Sequence, residues 1–134
     1  MSKSIVAEKS FAFSIRVVKL YKFLCDVKKE YVLSKQLLRC GTSIGANIHE
    51  VLHAQSKKDY LSKMNISLKE ATETEYWIKL LGATEYLTDK EYDSILADCG
   101  ELNRLLIAIV RTTKEKLSTV PCQLSTAERG DEDE

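Results

Sequence analysis

With 134 residues, 44% of them apolar, the chain fits one domain able to bury a sizeable core, and its formal charge at pH 7 is zero. Such a balance demands no polyanionic partner. Four cysteines without a C-x-x-C pair, and with no histidine near any of them in sequence, argue against zinc. The zero sum hides an asymmetry: residues 128–134 carry five acids and one base, which leaves 19 bases against 15 acids elsewhere. That excess permits contact with a polyanion without requiring it. One proline and five glycines punctuate residues that favour helix, and strand-like runs are absent, so the expected class is all-α. The polar start MSKSIVAEKS is unlike a secretory signal, and no apolar run approaches membrane-spanning length. These features point to a cytoplasmic protein without a membrane partner, its thiols reduced and three of them where small core residues would sit.

The first helix is expected from about Ser4 to Lys29. Val6, Phe13, Val17, Leu20, Leu24 and Val27 make one apolar stripe, and Phe11, Val18, Tyr21 and Cys25 a second beside it, which implies burial on two sides. The remaining arc holds Lys9, Arg16, Lys19, Lys22 and Lys29, interrupted by Glu8 and Asp26. It reads as a solvated face, with a phosphate-contacting stripe as the sharper alternative; those five bases are the candidate nucleic-acid contacts. Ile5 and Phe23 fall in the same arc, as isolated surface residues or as rim contacts to another subunit.

A short turn at Glu30 to Val32 leads into a second helix expected over Leu33 to Gln55, with Ser34 as its N-cap. Leu33, Leu37, Ile44, Ile48 and Val51 recur at helical spacing, with Gly41 and Leu52 on the flank. Gln36, Ser43, Asn47, Glu50 and Ala54 form a polar line beside that stripe, regular enough to suggest packing against a partner. Gly41 and Gly45 remove side chains from one face at a helix-propensity cost of roughly 1 kcal/mol each. Neither ends the stripe, so close approach of another backbone is the better reading than local weakness.

Ser56 with Asp59 reads as a variant capping box opening the third helix. Its expected core stripe is Tyr60, Leu61, Met64, Leu68, Ala71, Ile78 and Gly82, and Glu75 falls in the middle, where an acid needs a partner. On the far side Ile66, Trp77, Leu80 and Leu81, interleaved with Glu70 and Glu73, form a second apolar patch. One bundle cannot bury both faces, so these four residues are the expected oligomer interface.

Thr88 with Glu91 is a full capping box, and a fourth helix follows from Asp89. Tyr92, Ile95, Cys99, Leu102, Leu106, Ile109, Thr113 and Leu117 step along it by threes and fours, widened by Leu96, Ile107 and Val110. Each large aliphatic among them contributes roughly 1.5 to 3 kcal/mol when buried. The pattern stops after Leu117, and Pro121 cannot continue a helix that still needs its amide. The division is therefore a bundle over residues 1–118 and a flexible acidic tail over 119–134, which serves solubility or shields a basic surface.

Glu50 and His53 make an E-x-x-H pair, a spacing that supplies two ligands of a carboxylate-bridged metal site in some bundles. Such sites need a second pair, and the third and fourth helices contain no histidine; His49, just before Glu50, is expected to point elsewhere on the helical wheel. Ser43, Asn47 and Glu50 lack the histidine base of a nucleophile constellation, and CGTSIGAN lacks the P-loop lysine. The expectation is a non-enzymatic protein with no catalytic, metal or cofactor residues, the alternative being a carboxylate-bridged metal-dependent enzyme on the same bundle.

Over about Lys9 to Lys114, and most strongly at SKQLLRCGTSIGANIHE and AQSKKDYLSKMNISLKEATETEYWIKLL, the chain resembles the small bacterial four-helix-bundle proteins grouped as 23S rRNA intervening-sequence proteins. The family pattern is matched by Ser43, Ile44, Asn47, Ile48 and Glu50, then by Leu68, Glu70, Ala71, Glu73, Glu75 and Trp77. Ser43, Asn47, Glu50 and Glu75 form its polar seam. The resemblance implies an antiparallel up-down four-helix bundle that associates with itself into a ring, commonly a pentamer. The family name records where some members are encoded and establishes no activity; the expectation is an interaction scaffold, with RNA or a nucleoprotein as the candidate partner. A related branch, the accessory protein of diversity-generating retroelements, is a strongly basic pentameric barrel that works with a reverse transcriptase and nucleic acid. This chain departs from it in its near-neutral charge and acidic tail.

Overall fold

In a computed structural model, the chain is described over residues 2–124, with side chains from residue 5 to residue 118. Four helices follow one another: α1 (Ser2–Asp26), α2 (Leu33–Val51), α3 (Lys57–Ala83) and α4 (Asp89–Leu124). Each packs extensively on its neighbour in the chain, while α1 meets α4 only sparsely. The shared core is one cluster that includes Phe13, Val17, Leu24, Leu37, Ile44, Met64, Ile78, Leu102 and Leu106. No helix among the described residues is long and apolar enough to cross a membrane.

Three local devices fix the helix ends. Ser56 Oγ accepts the Asp59 amide at 3.1 Å, and Asp59 returns a carboxylate to the Gln55 amide at 3.3 Å. Thr88 and Glu91 exchange both bonds of a capping box, at 2.9 and 3.1 Å. Ser34, however, is not the cap of α2: it is fully buried inside the helix, its hydroxyl donating to the Glu30 carbonyl at 2.8 Å. The cap is the Glu30 carboxylate, which accepts the amides of Val32, Leu33 and Ser34 at 3.1, 2.9 and 2.7 Å. Glu30 also donates its own amide to the Leu24 carbonyl at 2.9 Å. Lys29 makes that return possible by taking φ of 56°, in the left-handed region. One residue thus closes α1 and opens α2.

Several expected stripes shift. Helix α1 stops at Asp26, which leaves Val27 62% exposed beyond it, and the second stripe is uncovered at Phe11, 68% exposed. Helix α2 ends at Val51 rather than Gln55. The buried residues of α3 are Met64, Ser67, Ala71, Thr74, Ile78 and Leu81, an alternating three-four spacing carried through two hydroxyl residues. Each hydroxyl is satisfied: Ser67 donates to the Ile44 carbonyl across to α2, and Thr74 to Glu70 of its own helix, both at 2.7 Å. On α4, Ile107 faces outward and Val110 inward. The helix continues past Pro121 to Leu124, beyond the boundary expected at Ser118; the rest of the acidic tail lies outside the described residues.

Gly41 and Gly45 of α2 both face α1 at short range. A Cβ on Gly41 would come within 2.9 Å of both Val17 methyl carbons, and one on Gly45 within 3.3 Å of the Ser10 carbonyl oxygen. Close packing, and not local weakness, is the reason for both.

Candidate functional site

The outer seam between α2 and α3 is laced by ion pairs. Arg39 of α2 reaches Glu70 at 3.5 Å with one guanidinium nitrogen and contacts Glu73 with the other. Glu73 Oε2 also accepts the Trp77 indole N–H at 3.1 Å, and the Tyr76 ring meets Trp77 edge-on, with centroids 5.1 Å apart. Lys63 and Glu50 pair at 3.2 Å nearer the other end of the seam. Trp77 rests its ring against the core while its N–H faces the surface acid, the usual compromise of an amphipathic aromatic.

Of the four expected interface residues, Ile66 is 39% exposed, and Trp77 and Leu80 are half-buried. Leu81 is wholly buried in the chain's own core and is removed from that set. It stands three residues beyond Ile78, on the inward stripe. Tyr76, 58% exposed beside Trp77, belongs to the patch in its place.

The expected polar seam does not converge. Ser43 donates to the Arg39 carbonyl and Asn47 to the Ser43 carbonyl, at 2.8 and 2.9 Å, so both serve their own helix. Glu75 is not a core acid: it pairs with Lys79 one turn on, at 3.3 Å, with 37% of its side chain exposed. The buried position beside it is Thr74, which needs no external base.

The basic arc of α1 is partly spent within the chain. Lys9 pairs with Glu101 at 3.0 Å, and Arg16 with Asp98 at 2.7 Å while also reaching the Ser94 hydroxyl at 3.1 Å. These contacts bridge the sparse α1–α4 seam. Lys29 lies in the loop after α1 and does not share the helical arc. Lys19 and Lys22 remain exposed, with no acid partner among the described residues.

Catalytic groups do not gather either. Among the described residues, no three His, Cys, Asp or Glu side chains stand together as metal ligands. Burial, and then the nearby Glu75 carboxylate, push the Cys99 thiol up to about 12; burial likewise raises Cys40. Both remain thiols at neutral pH and are poor nucleophiles. The sequence reading did miss one pairing: His49 and His53 are four residues apart in H-E-V-L-H, which places them on the same side of a helix, one turn apart.

The molecule is thus an all-α, four-helix protein whose distinctive surface is an ion-paired, aromatic-bearing helix face. The chain belongs to the 23S rRNA-intervening sequence protein family, whose model matches residues 2–108. A similar solved structure is the crystal structure, at 1.70 Å resolution, of a protein of unknown function from the S23 ribosomal protein family of Bacteroides thetaiotaomicron VPI-5482. It has a TM-score of 0.81 at 55% identity, and the match covers 83% of this chain and 99% of that one. No curated protein matches the chain.

Proposed function

We propose that the protein is a non-enzymatic scaffold that self-associates through the outer face of α3. The observation that carries this reading is the cluster of Ile66, Tyr76, Trp77 and Leu80 on a helix whose inner stripe is already fully used by its own core. An antiparallel up-down course is supported by pairings that run in opposite senses: Arg39 meets Glu73 where Glu50 meets Lys63, and Lys9 meets Glu101 where Arg16 meets Asp98. The family resemblance favours a ring, commonly a pentamer. Free thiols at Cys25, Cys40 and Cys99 fit a cytoplasmic setting. Light scattering should give a mass well above the 15.2 kDa of one chain. Ile66→Asp and Tyr76→Asp, at exposed positions, should lower that mass without loss of helicity; a single-chain mass for the wild type overturns the proposal.

RNA, or a nucleoprotein, is the partner this reading favours. It rests on the family description and on Lys19 and Lys22, which a ring would repeat around its axis. Contact through two lysines per chain would be weak, tolerant of sequence and lost as salt rises. Fluorescence anisotropy with a structured RNA at low salt should show saturable binding that Lys19→Glu together with Lys22→Glu removes. No binding at low salt overturns the RNA part and leaves the scaffold reading intact.

A further inference from the structure

The chain's two histidines stand together where α2 gives way to the loop before α3. Both are exposed, with ring centroids 6.4 Å apart and planes inclined by 62°. Regular helix stops at Val51, yet the backbone winds on: Leu52 donates to the His49 carbonyl at 3.3 Å and His53 to the Glu50 carbonyl at 3.0 Å. This tightened turn keeps His53 beside His49 instead of letting it leave with the loop. The intervening Glu50 is engaged by Lys63 of α3. Neither imidazole takes part in a hydrogen bond or ion pair among the described residues, so their nitrogens are uncommitted.

We propose that His49 and His53 form a two-imidazole site for a borderline divalent transition-metal ion such as Ni²⁺, Cu²⁺ or Zn²⁺, with water completing the coordination sphere. Bonds of about 2.0 to 2.1 Å from each imidazole to one ion require the two ligating nitrogens to come within roughly 3.3 Å of each other. From centroids 6.4 Å apart, closing to that distance requires side-chain rotation, which exposed rings can make without breaking core packing. Imidazole selects this class of ion, whereas Mg²⁺ and Ca²⁺ want a set of oxygens that the pair does not offer. With only two protein donors the site is open, which distinguishes it from the closed four-ligand sites that hold folds together. The bound ion would clip the last turn of α2 to the connection leading into α3. The H-E-V-L-H spelling does not make it a hydrolytic centre, because Glu50 is held by Lys63 and no third ligand stands with the pair among the described residues.

Isothermal titration calorimetry of the full chain with NiCl₂, and with MgCl₂ as control, tests this. One Ni²⁺ per chain is expected, with no response to Mg²⁺. His49→Ala and His53→Ala should each weaken binding by at least about tenfold, since either one destroys the chelate. Their circular dichroism should match the wild type, because both positions are exposed. Absence of saturable Ni²⁺ binding, or equal affinity in either single variant, overturns the site; the second result would point to a thiol such as Cys25.

Discussion

Replacing Glu30 with alanine is expected to cost about 2 to 3 kcal/mol of unfolding free energy, more than an ordinary cap substitution, because three amides lose their acceptor at once. Glu30 is 8% exposed and its carboxylate accepts from Val32, Leu33 and Ser34, so water does not replace it fully. Glu30→Gln loses the charge and keeps one of the two acceptor oxygens, enough for the Val32 and Leu33 amides that share Oε2 but not also for the Ser34 amide on Oε1, and should cost about half as much. Urea denaturation at one fixed protein concentration measures both, since self-association would otherwise shift the midpoint. The pH dependence has a definite sign. Burial pushes the Glu30 carboxyl up, but the amides of Leu33, Ser34 and Val32 outweigh it and leave the pKa below its ordinary 4.5. A group depressed in the folded state contributes stability that is complete above the unfolded pKa and is lost as pH falls through the folded one. Wild type should therefore lose its advantage over Glu30→Gln as pH drops below the ordinary carboxylate range. An alanine variant within about 0.5 kcal/mol of wild type would show that the cap is dispensable.

What could be read from sequence, and what could not, divides by the range of the interaction. The caps at Ser56 with Asp59 and at Thr88 with Glu91 were legible because a capping box is complete within four residues. Glu30 was not, since it lies before the helix and reaches forward over a turn, leaving Ser34 as the nearer candidate by residue type. In α3 the inward stripe passes through Ser67 and Thr74, and reading only apolar residues moved the stripe sideways. That single displacement put Glu75 inside and Leu81 outside. The arc of α1 was only partly legible for another reason: Lys9 and Arg16 pair with Glu101 and Asp98, partners more than 80 residues away. Exposure of Ile66 and partial exposure of Trp77 were recoverable because they follow from helical spacing alone.

Gly41→Ala should destabilise the protein by about 1 to 2 kcal/mol, although glycine to alanine inside a helix ordinarily gains about 1 kcal/mol. The reversal comes from α1. The new methyl would meet both Val17 methyl carbons at 2.9 Å, and valine, branched at Cβ, has few rotamers into which to retreat. Val17 is itself fully buried, so the helices must part or strain. Gly100 of α4 supplies the contrast within the same fold. Its Cβ would meet only the Arg104 guanidinium end, at 3.4 Å, a flexible group that moves at little cost. Gly100→Ala should accordingly stabilise by about 0.5 to 1 kcal/mol. Combining Gly41→Ala with Val17→Ala removes the clash, so the double variant should be more stable than the sum of the two single losses predicts, by about 1 kcal/mol or more. Denaturation of all four variants at one protein concentration decides the matter. Stabilisation by Gly41→Ala, or strict additivity with Val17→Ala, would mean that α1 and α2 do not depend on the missing side chain for their approach.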